Sequence, residues 1–71
     1  MRLNNRIREL RQLHDLTQQQ LAELTMVSRQ TIISLEQGRY NPTAVLAYRI
    51  AKVFGMIIED VFDFSDEEET L

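Results

Sequence analysis

Apolar residues recur along this chain at spacings of three and four, and hardly ever at a spacing of two. That is the pattern of short helices joined by tight turns. Leu3, Ile7, Leu10 and His14 share one stripe with Leu13 beside it, which predicts a first helix from about Asn4 to His14, capped by Asn4 or Asn5. Asp15-Leu16 interrupts the pattern. Thr17-Gln18-Gln19-Gln20 then fits a capping box and opens a second helix, with Leu21, Ala22 and Leu24 as its apolar contacts, ending near Thr25. Ser28 caps a third helix from Arg29 to about Gln37, with Ile32 and Leu35 buried and Gly38 as the residue after its end. Only Thr25, Met26 and Val27 separate the second and third helices, so the two must cross steeply, as in a helix-turn-helix.

After a loop from Arg39 to Pro42, Thr43 caps a fourth helix that stops at Gly55. Its apolar positions are Leu46, Ala47, Ile50, Ala51 and Phe54. A short fifth helix is expected over Ile58 to Phe62. Phe62 and Phe64 alternate with acids, and Met1-Arg2-Leu3 alternates too, so the two ends could pair as a small antiparallel ribbon. The fold class is therefore all-α, with five helices. Residues 1–64 form one folded domain, and residues 65–71 form an acidic tail too poor in apolar residues to pack.

Composition narrows the function. With 71 residues there is room for one core of marginal stability. No cysteine is present to form a disulfide or hold a metal, and the single histidine, His14, cannot build a metal site alone. No apolar run approaches a membrane span. A soluble, cytoplasmic protein without metal or cofactor is expected. No nucleophile–base pair, carboxylate dyad or phosphate loop is present, so enzymatic function is rejected. Glu59-Asp60 suits the positive end of a short helix.

The formal net charge of -3 hides an asymmetry. The last nine residues carry five acids and no base, while residues 1–62 carry eight bases and six acids, a net of +2. Seven of the eight bases are arginine, whose planar fork suits phosphates and guanine edges. Arg2, Arg8, Arg49 and Lys52 read as solvated. The acidic tail is expected to be a disordered, solubilising end, or alternatively a segment that repels or mimics DNA.

Leu16-Thr17-Gln18-Gln19-Gln20-Leu21-Ala22, Val27-Ser28-Arg29-Gln30-Thr31-Ile32 and Glu36-Gln37-Gly38 together resemble the Cro/repressor-type (XRE) helix-turn-helix family. Leu10-Arg11, Asn41-Pro42-Thr43 and Gly55 to Phe62 extend the likeness to residues 3–62. The resemblance is to the small stand-alone regulators of bacteria and phages. It implies a Cro/lambda-repressor-like domain that binds double-stranded DNA, nucleoid-associated when bound. Three positions depart from the family pattern: Met26 where glycine is usual, Thr25 for an apolar residue, and Ile57 where serine or threonine caps the fifth helix.

A recognition helix must aim polar side chains at base edges in the major groove. Arg29, Gln30, Ile33 and Ser34 share the face of the third helix opposite Ile32 and Leu35, and Arg29, Gln30 and Ser34 match the family's base-reading positions. Ile33 could touch a thymine methyl or pack on a neighbouring helix or subunit. Phosphate contacts are expected from Gln18 and the amides around it, from Ser28, and from Arg39, Tyr40 and Asn41, with Arg6 as a weaker candidate. The resemblance implies a structural salt bridge between Arg11 and Glu36. The C-terminal end carries more large apolar residues than one core needs, so a homodimer is expected, with Ile57, Phe62 and Phe64 at its interface. The leading reading is a homodimeric repressor on a palindromic operator. The alternative is an antitoxin-type interaction module whose acidic tail covers a basic protein partner.

Overall fold

The computed structural model describes residues 3–39 and 41–65, so Met1, Arg2, Tyr40 and residues 66–71 of the acidic tail lie outside the described residues. The elements run β1 (Asn4–Asn5), α1 (Ile7–Leu13), α2 (Gln18–Thr25), α3 (Arg29–Glu36), α4 (Ala44–Val53), α5 (Ile58–Val61) and β2 (Phe62–Asp63).

The first helix starts later than the stripe predicts. Asn4 and Asn5 instead form β1, which pairs antiparallel with β2 in the register Asn4↔Asp63 and Asn5↔Phe62. The Arg6 amide continues the link by donating to the Val61 carbonyl at 2.8 Å. Arg6 therefore holds the N-cap position of α1 without a side-chain bond, and Asn5 serves the helix from one residue further out, its Oδ1 accepting from the Ile7 amide at 3.1 Å. The expected ribbon between the chain ends exists, shifted to Asn4–Asn5.

The caps predicted for α2, α3 and α4 form. Thr17 Oγ1 accepts from the Gln20 amide at 3.0 Å, and the Gln20 side chain accepts from the Thr17 amide at 2.8 Å, completing the capping box. Ser28 and Thr43 likewise accept from the amides of Thr31 and Leu46.

Helices α1 to α4 all end in the same way. Asp15, Met26, Gly38 and Gly55 each take a left-handed backbone, with φ of 56°, 63°, 68° and 66°. The amide of the next residue then reaches back to the carbonyl five positions earlier, as in Val27 to Ala22 at 3.0 Å and Arg39 to Ser34 at 2.9 Å. This is the Schellman turn. Glycine meets its requirement freely, aspartate tolerates it, and Met26 adopts it against its own preference.

Ile7 and Leu10 from α1, Leu21 from α2, Ile32 and Leu35 from α3, and Ile50 from α4 meet at the centre with essentially no solvent contact. Thr25, polar where an apolar residue is usual, is also buried, and its hydroxyl donates to the Leu21 carbonyl at 2.7 Å. A buried hydroxyl satisfied by its own helix costs little. Leu13 and Leu24, expected to contribute, are exposed instead, because among the described residues no neighbouring element covers their side of α1 and α2. His14 lies at the surface with its ring 5.1 Å from Phe54. No helix of the described residues is long and apolar enough to cross a membrane.

Candidate nucleic-acid interface

The α2–α3 pair is built from two capped helices joined by Met26 and Val27. Ser28 sets where α3 begins, which puts Arg29 and Gln30 in its first turn, both exposed. Ile33 and Ser34 follow one turn later, half-buried. All four lie away from the buried Ile32 and Leu35, so α3 offers a polar first turn outward. Arg29 and Gln30 have the reach and donors for guanine and adenine edges. Ser28 Oγ is engaged with Thr31, accepting from its amide at 3.2 Å and lying 3.0 Å from its hydroxyl. Arg39 and Asn41, in the loop after α3, are exposed.

The far end of α3 is fastened to α1 and α2. Arg11 Nε donates to Glu36 Oε2 at 2.8 Å, with side chains only 13% and 7% exposed. Arg11 Nη1 also donates to the Leu16 carbonyl at 2.9 Å, and Gln18 Nε2 donates to Glu36 Oε1 at 3.1 Å. Both oxygens of this mostly buried carboxylate are therefore occupied. The salt bridge implied by the resemblance is present. Gln18, expected to hold a phosphate, has its side-chain amide committed to this network. What it offers a phosphate is its backbone N–H, which with that of Gln19 is taken by none of the hydrogen bonds among the described residues.

Beside this network is a cleft of about 580 Å³ between the three helices. Arg8, Arg11 and Gln12 reach it from α1, Gln18 and Gln19 from α2, and Arg29 and Glu36 from α3. Every residue lining it is polar. Arg8, read from sequence as solvated, stands here with Arg29. The signal was the spacing of Arg8, Arg11 and Gln12, which puts all three on one face of a helix.

Two expected site residues lie elsewhere. Arg6 is not with the α2–α3 face: its guanidinium bonds Glu9 at 2.7 Å and the Asp60 carbonyl at 3.3 Å, next to the acidic start of α5. The β1–β2 pairing turns it toward the C-terminal segment. Phe62, expected at a dimer interface, is 1% exposed and belongs to the core. Strand alternation sends Phe62 inward and Asp63 outward, so the Phe62 side chain has no surface to give a partner. Phe64 is half-buried against the core, while Ile57 is 62% exposed. Sequence reading missed Val45 and Tyr48, which are exposed on α4. Their spacing of three, off the Leu46–Ala47–Ile50 stripe, was the available signal. Tyr48, Met56, Ile57 and Ile58 line one depression, and Ile58 with Phe64, Leu3 and Pro42 lines another.

Known proteins resemble this chain in sequence and in fold. Residues 7–60 match the helix-turn-helix family HTH_3. An uncharacterized HTH-type transcriptional regulator of Methanocaldococcus jannaschii is 50% identical over 66 residues, which is 93% of this chain and 100% of that protein. Another, from Archaeoglobus fulgidus, is 52% identical over 66 residues, 93% of this chain and 94% of its own length. The crystal structure of the restriction-modification controller protein C.AhdI from Aeromonas hydrophila superposes with a TM-score of 0.72 at 29% identity, covering 78% of this chain and 83% of that one. These two relatives are archaeal and lend no support to the bacterial or phage setting expected from sequence, while another relative, an HTH-type transcriptional regulator of Bacillus subtilis, is 40% identical over 65 residues, 92% of this chain and 98% of its own length. From the family match over most of its length and the capped α2–α3 pair it describes, this chain belongs to the Cro/repressor-type helix-turn-helix family of DNA-binding transcriptional regulators.

Proposed function

We propose that the protein is a repressor that binds a palindromic operator as a homodimer. The observation carrying this reading is the outward first turn of α3, where Arg29 and Gln30 stand free above a helix anchored at its far end by Arg11 and Glu36. Base edges are read by Arg29 and Gln30, with Ser34 and Ile33 behind them. Phosphates are held by the amides opening α2, by Ser28, and by Arg39 and Asn41. A dimer is favoured because one recognition helix reads few base pairs, whereas two half-sites one helical turn apart double the contacts. The exposed side chains of Tyr48 and Ile57, beside the half-buried Ile58, offer an apolar face for it. Repression follows from occupancy: a small dimer on its operator excludes polymerase.

The test is selection of bound sequences from a random double-stranded pool at near-physiological salt, since low salt lets phosphate attraction alone retain DNA. An inverted repeat with half-sites about 34–36 Å apart is expected. Recovery of no motif by folded protein would refute sequence-specific reading.

A further inference from the structure

The cleft between α1, α2 and α3 carries a charge imbalance that the fold does not relieve. Arg8, Arg11 and Arg29 line it against a single acid, Glu36. That acid is spent: Arg11 and Gln18 occupy its two oxygens. Among the described residues Arg8 and Arg29 enter no ion pair, and both are exposed. Arg8 from α1 and Arg29 from the first turn of the recognition helix thus line the same polar concavity. Such a site takes an anion with several acceptor oxygens, and arginine forks match a phosphate group in particular. At about 580 Å³ the cleft is far larger than one phosphate and is open to solvent, which suits a strand passing across it better than a captured ion.

We infer that Arg8 adds a phosphate contact from α1 to those assigned above to the amides opening α2, whose residues Gln18 and Gln19 line the same cleft. The inference rests on the DNA-binding reading above and extends the interface beyond α2, α3 and the loop after α3. Arg8 then contributes affinity and register but no base preference, because a phosphate carries no sequence information.

The experiment uses the full chain and the selected operator, with Arg8→Gln and Arg8→Lys. Arg8 is exposed, so both variants should fold. Affinity is measured across a salt series. For Arg8→Gln the slope of log K against log salt should fall in magnitude by about 0.9, the value for one lost phosphate contact, while the preferred sequence is unchanged. Arg8→Lys should restore the slope. An unchanged slope in Arg8→Gln overturns the inference while leaving operator binding intact. An altered sequence preference overturns it too, by making Arg8 a reader of bases. Titration of inorganic phosphate into the free protein, followed by the arginine side-chain NMR signals, separates the two phosphate sources. Tight, Arg8-dependent saturation would assign the cleft to a free anion instead of the DNA strand. If the wild-type protein binds no DNA, the proposed function fails and this inference fails with it.

Discussion

Asn5 donates its side-chain amide to the Leu35 carbonyl at 2.8 Å, across thirty residues of sequence. One side chain thus ties the N-terminal strand to the last turn of the recognition helix, while its Oδ1 holds the start of α1. Asn5→Ala removes both bonds. At about 0.5–1.5 kcal/mol each, a loss of about 1–3 kcal/mol is expected in urea unfolding. Asn5→Asp keeps the acceptor but sets a carboxylate oxygen against the Leu35 carbonyl, so it should not recover the loss.

Arg11 and Glu36 should behave as a pair. Either single change, Arg11→Met or Glu36→Leu, leaves an uncompensated charge in a mostly buried place, at a cost approaching 3–5 kcal/mol. The double variant should regain most of that stability, because neither charge is then left unpaired. A double-mutant cycle by denaturant unfolding measures the coupling. Costs that simply add would show that the two residues act independently.

The helix ends offer opposite substitutions at equivalent positions. Met26 is 69% exposed and holds a left-handed backbone, so Met26→Gly sheds strain with little lost burial. A gain of about 1 kcal/mol is expected. Gly55→Ala should cost about 1–2 kcal/mol, although an added Cβ at Gly55 meets nothing within 4 Å, because the backbone angle alone is at fault. Thermal unfolding of both variants checks the sign of each change.

The apolar C-terminal end should divide into core and interface. Phe62→Ala is expected to cost about 3–5 kcal/mol and to compromise folding. Tyr48→Asp and Ile57→Asp alter exposed positions, so the helical content should persist while the protein becomes monomeric and its operator affinity drops. Sedimentation equilibrium with circular dichroism reads both. A wild-type monomer at tens of micromolar would remove the dimer.

Ile33 distinguishes packing from reading. It is half-buried on the outward side of α3. If it touches a thymine methyl, Ile33→Ala should relax the preference at one operator position with stability nearly unchanged. Loss of stability with the preference intact would assign it to packing alone.

Much of this protein was legible in its sequence because the deciding interactions are local. Thr17, Ser28 and Thr43 cap helices through amides three residues away, and that spacing is written in the chain. Gly38 and Gly55 end helices because the left-handed turn suits a residue without a side chain. Arg29 and Gln30 face outward because Ile32 and Leu35 face inward, and helical periodicity links the two facts.

Tertiary structure decided whatever depends on what lies opposite. Periodicity tells that a residue is on a face but not whether another element covers that face, so Leu24 reads as core and stands in solvent. Asn4 and Asn5 suit a helix cap equally well until Phe62 and Asp63 arrive from the far end of the chain to make them a strand. The same pairing draws Arg6 toward Asp60 and buries Phe62, removing one candidate phosphate contact and one candidate interface residue. Arg8 and Arg29 belong to helices distant in sequence, and only packing of α1 beside α3 sets their charges around one cleft. Local hydrogen bonding and side-chain period are properties of the chain. Burial and the meeting of charges are properties of its neighbours in space.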